Sequence, residues 1–529
     1  MKGTMRVLLA MSTLVAISPA IAQERVFRLE QAAPGEIDPA KATDFSGLIL
    51  ASNLYDTLLW PASGGGVEPR AAESWSISDD KKSYSFKLRH DLKFHDGSPV
   101  TADDVVFSFN RFMKLGAGYS YLFAGVVDSV KADNPGSVTF TLKHPHAPFL
   151  ASVVRLSIVS KAIASAHKVD GPYGEWGDYG QAYLDQHDAG SGAYTVAAHD
   201  KQTLTVMKKF DGYYLPFPAN APSEVRMSYS VEDATLRALM SRGQLDVSSM
   251  WHPNEVIADL AKQPGISAGA ETVYGEGLIK FNTKRPPMDN IHFRRAVAAA
   301  IDYDAIHIIL KVTDKIQSGI PSRGPIPDGL PGSDPNGPIP KRDLNAAKKE
   351  LAQAGYDPAA APIEVLSALC CALHQKIALL VSSNLAEVGV KTQIKEMPWA
   401  LVVESASKVE STPHVTFVIQ NLAAPDVDSF LTETYDSSSV GRWSSMEWLQ
   451  NKDVDKLISD SRTELDPAKR AAIFSQINKT ILDLQPDAWA LQPVNTFAKR
   501  NNIKLPFEDP KKATGLVAAD FEFRLVQVE

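Results

Sequence analysis

Between Ser83 and Phe112 the chain reads SYSFKLRHDLKFHDGSPVTADDVVFSFNRF. Tyr84, Phe86 and Leu88 alternate with Ser85, Lys87 and Arg89, the period of a strand buried on one face. His95-Asp96-Gly97-Ser98-Pro99 is turn chemistry, because glycine takes φ > 0 without steric cost and proline fixes φ. Thr101 offers a hydroxyl to the open N–H groups of a new helix, and Asp103 and Asp104 suit its positive end. Val105, Val106, Phe109, Phe112 and Met113 then fall on one helical face. The stretch therefore predicts a strand, a tight turn and a capped helix, in that order.

That register resembles the signature of the family 5 extracellular solute-binding proteins, the peptide/nickel/opine class serving bacterial ABC importers. Other stretches carry the same resemblance. Asn53-Leu54-Tyr55-Asp56-Thr57-Leu58 is similar to the family's Asn-x-Tyr-Asp-x-Leu, and Glu68 to Trp75 to its Pro-x-Leu-Ala-x-Ser-Trp. Gly190-Ser191-Gly192-Ala193-Tyr194 resembles Gly-Thr-Gly-Pro-Tyr. Pro287 to Asp304 (PMDNIHFRRAVAAAIDYD) and the series Asp343, Ala347, Leu351, Ala354, Gly355, Tyr356 resemble two later family helices. The resemblance covers nearly the whole chain beyond residue 22. It implies an α/β, two-lobed periplasmic binding protein with hinge strands and an extra α+β domain inserted in the first lobe. The implied division is 23–60, 186–276 and 489–529 for lobe I, 61–185 for the inserted domain and 277–488 for lobe II. Solute binds between the lobes, and the closed form is presented to the transmembrane subunits of an ABC permease.

The N-terminus has Lys2 and Arg6, an apolar run from Val7 to Ile17, and Ala20 and Ala22 at small-x-small spacing. This is the pattern of a secretory signal peptide over 1–22, which places the protein in the periplasm. Beyond it no uninterrupted apolar stretch is long enough to span a membrane. Removing residues 1–22 takes away two bases and no acid, so the formal charge of −8 becomes −10. That balance argues against nucleic acid or anionic lipid as a partner. The family resemblance, not the charge, implies a small-molecule solute, peptide-like or opine-like, bound by a monomer. The only cysteines, Cys370 and Cys371, are adjacent and form no disulfide framework, so they are expected to be buried thiols.

No P-loop, His-Glu-x-x-His or acidic calcium loop is present, and no cofactor is expected. His144 and His146 could ligate a metal, but Pro145 between them and the missing third ligand favour an exposed loop. His95-Asp96 could in principle act as a general base pair, and a turn explains it better. The reading is of a binding protein and not an enzyme. An oligosaccharide or metal complex as ligand, or a hydrolase built on the same scaffold, is the alternative.

Peptide-binding members of the family hold the ligand's ammonium with an Asp just after the strand expected at Val415–Ile419. Aligned on Ser429-Phe430, that position is Ala423 here, and the nearest carboxylate is Asp426. A buried ammonium without a partner is costly. Either Asp426 or another acid substitutes, or the ligand carries no free α-amino group. The candidate ligand-binding residues are Phe45, Trp251, His252, Tyr274, Arg323, Trp399, Asn421, Asp426, Arg442 and Trp443. Aromatic side chains suit rings and apolar groups, and arginines grip carboxylates in bidentate fashion.

Overall fold

A computed structural model describes residues 25–63, 65–509 and 511–529; the expected signal peptide lies outside the described residues. In chain order, β1 (Val26–Gln31) leads to α1 (Phe45–Leu54). Next, β2 (Ala72–Ile77), β3 (Ser83–Leu88), β4 (Val127–Asn134) and β5 (Ser137–Leu142) form an antiparallel sheet in the order β2-β3-β5-β4, packed by α2 (Ala102–Leu115). The meander β6 (Tyr194–Asp200), β7 (Leu204–Lys209) and β8 (Glu224–Tyr229) returns beside β1, which runs parallel to β8.

The second large sheet has the order β9-β14-β10-β13-β11-β12. It is built from β9 (Ile266–Thr272), β10 (Gly275–Phe281), β11 (Ile363–Ala368), β12 (Thr392–Met397), β13 (Val415–Asn421) and β14 (Asp487–Arg500). Strands β12, β11 and β13 are mutually parallel, with Ala368 opposite Met397 and Val365 opposite Val415. Helices α3 (Ala372–Glu387), α4 (Trp399–Ser405), α5 (Val427–Tyr435), α6 (Lys452–Thr463) and α7 (Pro467–Leu484) surround this part.

Two connections cross between the halves. Strands β9 and β10 are separated only by Val273-Tyr274. The fourteen-residue β14 pairs with β10 through Asp487–Leu491 and with β9 through Val494–Arg500. Val247 ties β14 to β1 by single bridges to Leu29 and Lys499. Each half has its own core. Phe27, Leu29, Ile49, Tyr194, Met227 and Phe523 are buried in one, and Ile279, Phe281, Phe293, Val381 and Val415 in the other. A third cluster runs from Phe86, Phe109 and Phe140 through Phe149 to Phe430, Ile458 and Phe474, joining the β2–β5 unit to α5–α7.

The Ser83–Phe112 stretch folds as its pattern dictates. Tyr84, Phe86 and Leu88 are buried. Thr101 donates its N–H and its hydroxyl to Asp104 Oδ2 at 2.9 and 2.7 Å, closing the first turn of α2, and Gly116 at φ +60 ends it. His95 is hydrogen-bonded to Asp188 and to the Gly192 carbonyl, so it serves the fold and is not a base paired with Asp96. The family-like Asn53 bonds the backbone of Phe521 and Phe523 at 2.8 Å each, and Asp56 accepts from Arg70, Ser191, Tyr213 and Tyr214. These residues sew the chain's beginning to its end. Gly190 lies where a Cβ would sit 1.9 Å from the Leu54 carbonyl oxygen, so no other residue fits there.

Candidate functional site

In an open α/β sheet, the loops beyond the carboxyl ends of parallel strands form the ligand crevice. Here β12, β11 and β13 all end at one edge, carrying Pro398-Trp399, Leu369–Cys371 and Leu422–Asp426 respectively. The crossing point Tyr274 meets that edge. Tyr274 N–H donates to the Gly515 carbonyl at 2.9 Å, and Leu422 N–H donates to the Tyr274 carbonyl at 3.1 Å. Gly515, at φ +69, must be glycine, because a Cβ would lie 2.5 Å from the Tyr274 ring. Asn421 stands opposite Gly275 and keeps a buried Oδ1 with no partner among the described residues.

Across the crevice, the segment Gly118–Leu122 and the end of the Phe149–Val153 helix bring three side chains to this edge. Arg155 Nε donates to the Ala423 carbonyl at 2.5 Å, and its guanidinium lies 4.9 Å from the centre of the Tyr119 ring. Tyr121 hydroxyl donates to Glu433 on α5, whose other oxygen accepts from Gln420 Nε2 at 2.6 Å. Arg442 sits 5.9 Å from the centre of the Tyr121 ring. Burial pushes the Glu433 carboxyl up, against the hydrogen bond from Tyr121 and the charge of Arg442. Burial likewise lowers Arg155, with Tyr119 and Tyr121 opposing. Arg155 Nη2 is buried with no hydrogen-bond partner among the described residues.

Arg155 also lines a cavity of about 40 Å³ under α1, walled by Leu48, Ala51, Tyr55, Tyr119 and Leu516 among others, and it is the only charged group in that lining. Such a volume holds a few waters at roughly 10–15 Å³ each, whereas small-molecule pockets run to about 300 Å³ or more.

The ten residues expected from sequence divide. Tyr274 and Asn421 meet at the crossing. Trp399 and Trp443 pack edge to face at 5.4 Å, and Arg442, next in sequence, faces Tyr121. The others are placed elsewhere or occupied. Asp426 caps α5 and is held in bidentate fashion by Arg470 at 2.6 and 2.8 Å, so its carboxylate is committed within lobe II and does not replace the missing Asp. Arg323 donates to the Gly337 carbonyl and pairs with Asp328 within its own proline-rich loop. That loop lies on α7, with Gly332 against Phe474. Phe45 packs edge-on to Phe521. Trp251 is 45% exposed. His252 bridges Glu30 and Asp233; burial disfavours its charged form, but both carboxylates outweigh that and raise its pKa.

Two further expectations are corrected. His146 is buried at 5% exposure, because Ala147 N–H reaches the Arg462 carbonyl and draws the loop onto α6; burial and then Arg462 push its pKa down to about 3. The cysteines are not in a core: Cys370 is exposed and Cys371 half-buried, since both fall between the last residue of β11 and the first of α3. Sequence reasoning missed Tyr119, Tyr121, Arg155 and Glu433. The available signals were the paired tyrosines of Gly118-Tyr119-Ser120-Tyr121 and the lone cation in the apolar run from Phe149 to Ile158.

Among the described residues, no helix is long and apolar enough to cross a membrane and no group of three metal-ligating side chains comes together. The family model for bacterial extracellular solute-binding proteins, family 5 (middle), matches residues 66–442. The probable D,D-dipeptide-binding periplasmic protein DdpA of Escherichia coli K12 is 26% identical over 483 residues, covering 89% of each chain. The DppA periplasmic binding protein of Helicobacter pylori, solved with the peptide STSA, superposes with a TM-score of 0.80 at 23% identity, covering 96% of this chain and 99% of that one. AgaA of A. tumefaciens R10, solved with agropinic acid, gives 0.77 at 23% identity, covering 96% and 98%. The two-lobed architecture, the crossing strands and the matched family model agree: the chain belongs to the family 5 bacterial extracellular solute-binding proteins.

Proposed function

We propose that this protein is the periplasmic substrate-binding component of an ABC importer and that its solute is a peptide-like or opine-like anion without a free α-amino group. The observation that carries the reading is the charge at the crevice. Arg155 lines the cavity as its only charged group and has a guanidinium nitrogen without a partner among the described residues. Ala423 stands where a carboxylate would take an ammonium, and Asp426 is bound to Arg470. A buried cation is stabilised by a carboxylate that it grips directly, whereas an ammonium beside Ala423 would meet no uncommitted carboxylate, since Asp426 is held by Arg470 and Glu433 by Tyr121 and Gln420. Opine-like acids whose amino nitrogen is acylated, and therefore uncharged, fit this balance better than simple dipeptides do.

In this reading residues 1–22 are removed on export, residues 61–185 form a domain inserted in lobe I, and the protein acts as a monomer. It performs no chemistry on its solute. Binding stabilises the closed form through contacts made only when the lobes meet, and the permease recognises that form. Arg442, Trp399 and Trp443 contribute the lobe II wall.

Thermal-shift titration with opines, N-acylated dipeptides and free dipeptides tests this reading. Carboxylates lacking a free amine are expected to raise Tm, to be recovered unchanged, and to lose the effect in Arg155→Gln. Equal stabilisation by free dipeptides, insensitive to Arg155→Gln, sinks the reading.

A further inference from the structure

The loop between β11 and α3 carries the only two cysteines of the chain, and nothing described so far uses them. Cys370 is exposed. Cys371 is half-buried and occupies the N-cap position of α3, where its side chain accepts no capping hydrogen bond. The loop lies on the crevice edge: Leu369 N–H donates to the Met397 carbonyl at 2.9 Å, two residues before Trp399. One turn into α3, His374 is 8% exposed, has a buried Nδ1 without a partner among the described residues, and packs edge-on against Phe417 at 5.0 Å and Trp399 at 6.5 Å. A thiol pair thus stands beside the aromatic wall of lobe II, at the positive end of a sixteen-residue helix.

We propose that Cys370 and Cys371 are a redox-closing vicinal thiol pair, oxidised to a disulfide by exchange with a soluble disulfide, and that they give the lobe II side of the crevice two chemical states. The contact with the Cys371 thiol lowers the pKa of Cys370, whereas that of Cys371 is raised, first by its hydrogen bond with Cys370 and then by burial. Cys370 is therefore the attacking thiolate and Cys371 the resolving thiol. The Cys370 sulfur attacks one sulfur of the oxidant R–S–S–R, forming a mixed disulfide and releasing R–S⁻. Cys371 then loses its proton to solvent and attacks the Cys370 sulfur, expelling the second R–S⁻. Two protein thiols are oxidised and one small disulfide is reduced to two thiols, so electrons and protons balance.

Neighbouring Cα atoms are about 3.8 Å apart across a trans peptide, while disulfides normally span about 4.4–6.8 Å. The ring is consequently strained and readily reduced, the property of a reversible disulfide and not of a structural one. Closing it constrains the N-cap of α3 and, through Leu369 and Met397, the start of α4 at Trp399. The thiol chemistry stands independently of the solute reading; its position at a ligand wall rests on that reading.

The test exposes the full-length mature protein to oxidised glutathione, followed by alkylation and intact mass. The wild type is expected to lose the mass of two hydrogens, to keep no alkylatable thiol and to stay a single chain, while Cys371→Ser holds one glutathione on Cys370. Oxidation is also expected to quench tryptophan emission, and the quenching is expected to be lost in Trp399→Phe. Two alkylatable thiols after oxidation, or disulfides formed only between chains, overturn the thiol pair. Ring closure with the same emission change in wild type and Trp399→Phe overturns its coupling to the crevice wall and leaves the solute reading untouched.

Discussion

Lys280 with Glu447, and Arg155 and Tyr121 with Glu433, are both groupings of polar and charged side chains drawn out of water, but they are housed differently. Lys280 and Glu447 are 2.7 Å apart, both side chains are fully enclosed, and both belong to the same lobe. Burial, and only then Lys280 opposing it, sets the Glu447 carboxyl at about 7. The second grouping is split. Its acid sits on α5 while Tyr121 and Arg155 arrive from the other side of the crevice, and Arg155 keeps a nitrogen with no partner among the described residues. A charge enclosed with its partner fixes one conformation; a charge whose partners lie on another body favours the joined arrangement without enforcing it. Fold stability rests on the first kind of buried charge, and the proposed solute capture on the second.

The largest expected effect breaks the first grouping. Lys280→Met leaves Glu447 buried without its cation and is expected to cost about 3–5 kcal/mol in urea unfolding. Lys280→Met combined with Glu447→Leu should recover most of that. A harmless single substitution removes the contrast between the two regions. Next in size, Arg155→Gln is expected to weaken binding of an anionic solute by about ten- to a hundredfold, the worth of a charged hydrogen bond, while the Tm of the unliganded protein changes little. Calorimetric titration set beside a melting curve separates the two readouts. Tyr121→Phe removes one cross-crevice hydrogen bond, for about 1 kcal/mol or roughly fivefold in affinity, again without a stability loss on the scale of Lys280→Met.

The smallest effect lies away from the crevice. The pKa of His252 is raised in the folded state by Glu30 and Asp233. Its contribution to stability is complete below the unfolded value of about 6.5 and is lost as pH climbs through the higher folded value. Melting temperatures across that range should fall in the wild type relative to His252→Gln, and parallel curves would show that the bridge contributes nothing.

What could be read in advance follows the distance along the chain over which each feature is decided. Thr101 and Asp104 are three residues apart, and the α2 start they form was legible from spacing alone. The lobes and crossing strands were legible because whole stretches resemble a known family. The crevice was not. Tyr121 and Glu433 are 312 residues apart, and Arg155 and Ala423 are 268 apart. No local pattern announces such a pairing. Asp426 shows the converse: its position suggested a ligand contact, and Arg470, 44 residues on, had already taken both oxygens. Composition favours buried thiols, and the short turn between β11 and α3 instead exposes Cys370 and leaves Cys371 half-buried.

Strand β14 has a consequence for how the molecule is made. One run of fourteen residues completes the sheet of one half through Asp487–Leu491 and reaches the other through Val494–Arg500. The sheet of the second half stays open until this late segment has been synthesised, whereas the sheet holding β1 and β6–β8 does not contain it. An emerging chain therefore holds the second half unfinished, and the strand that completes it also fastens it to β9 and, through Val247, to β1.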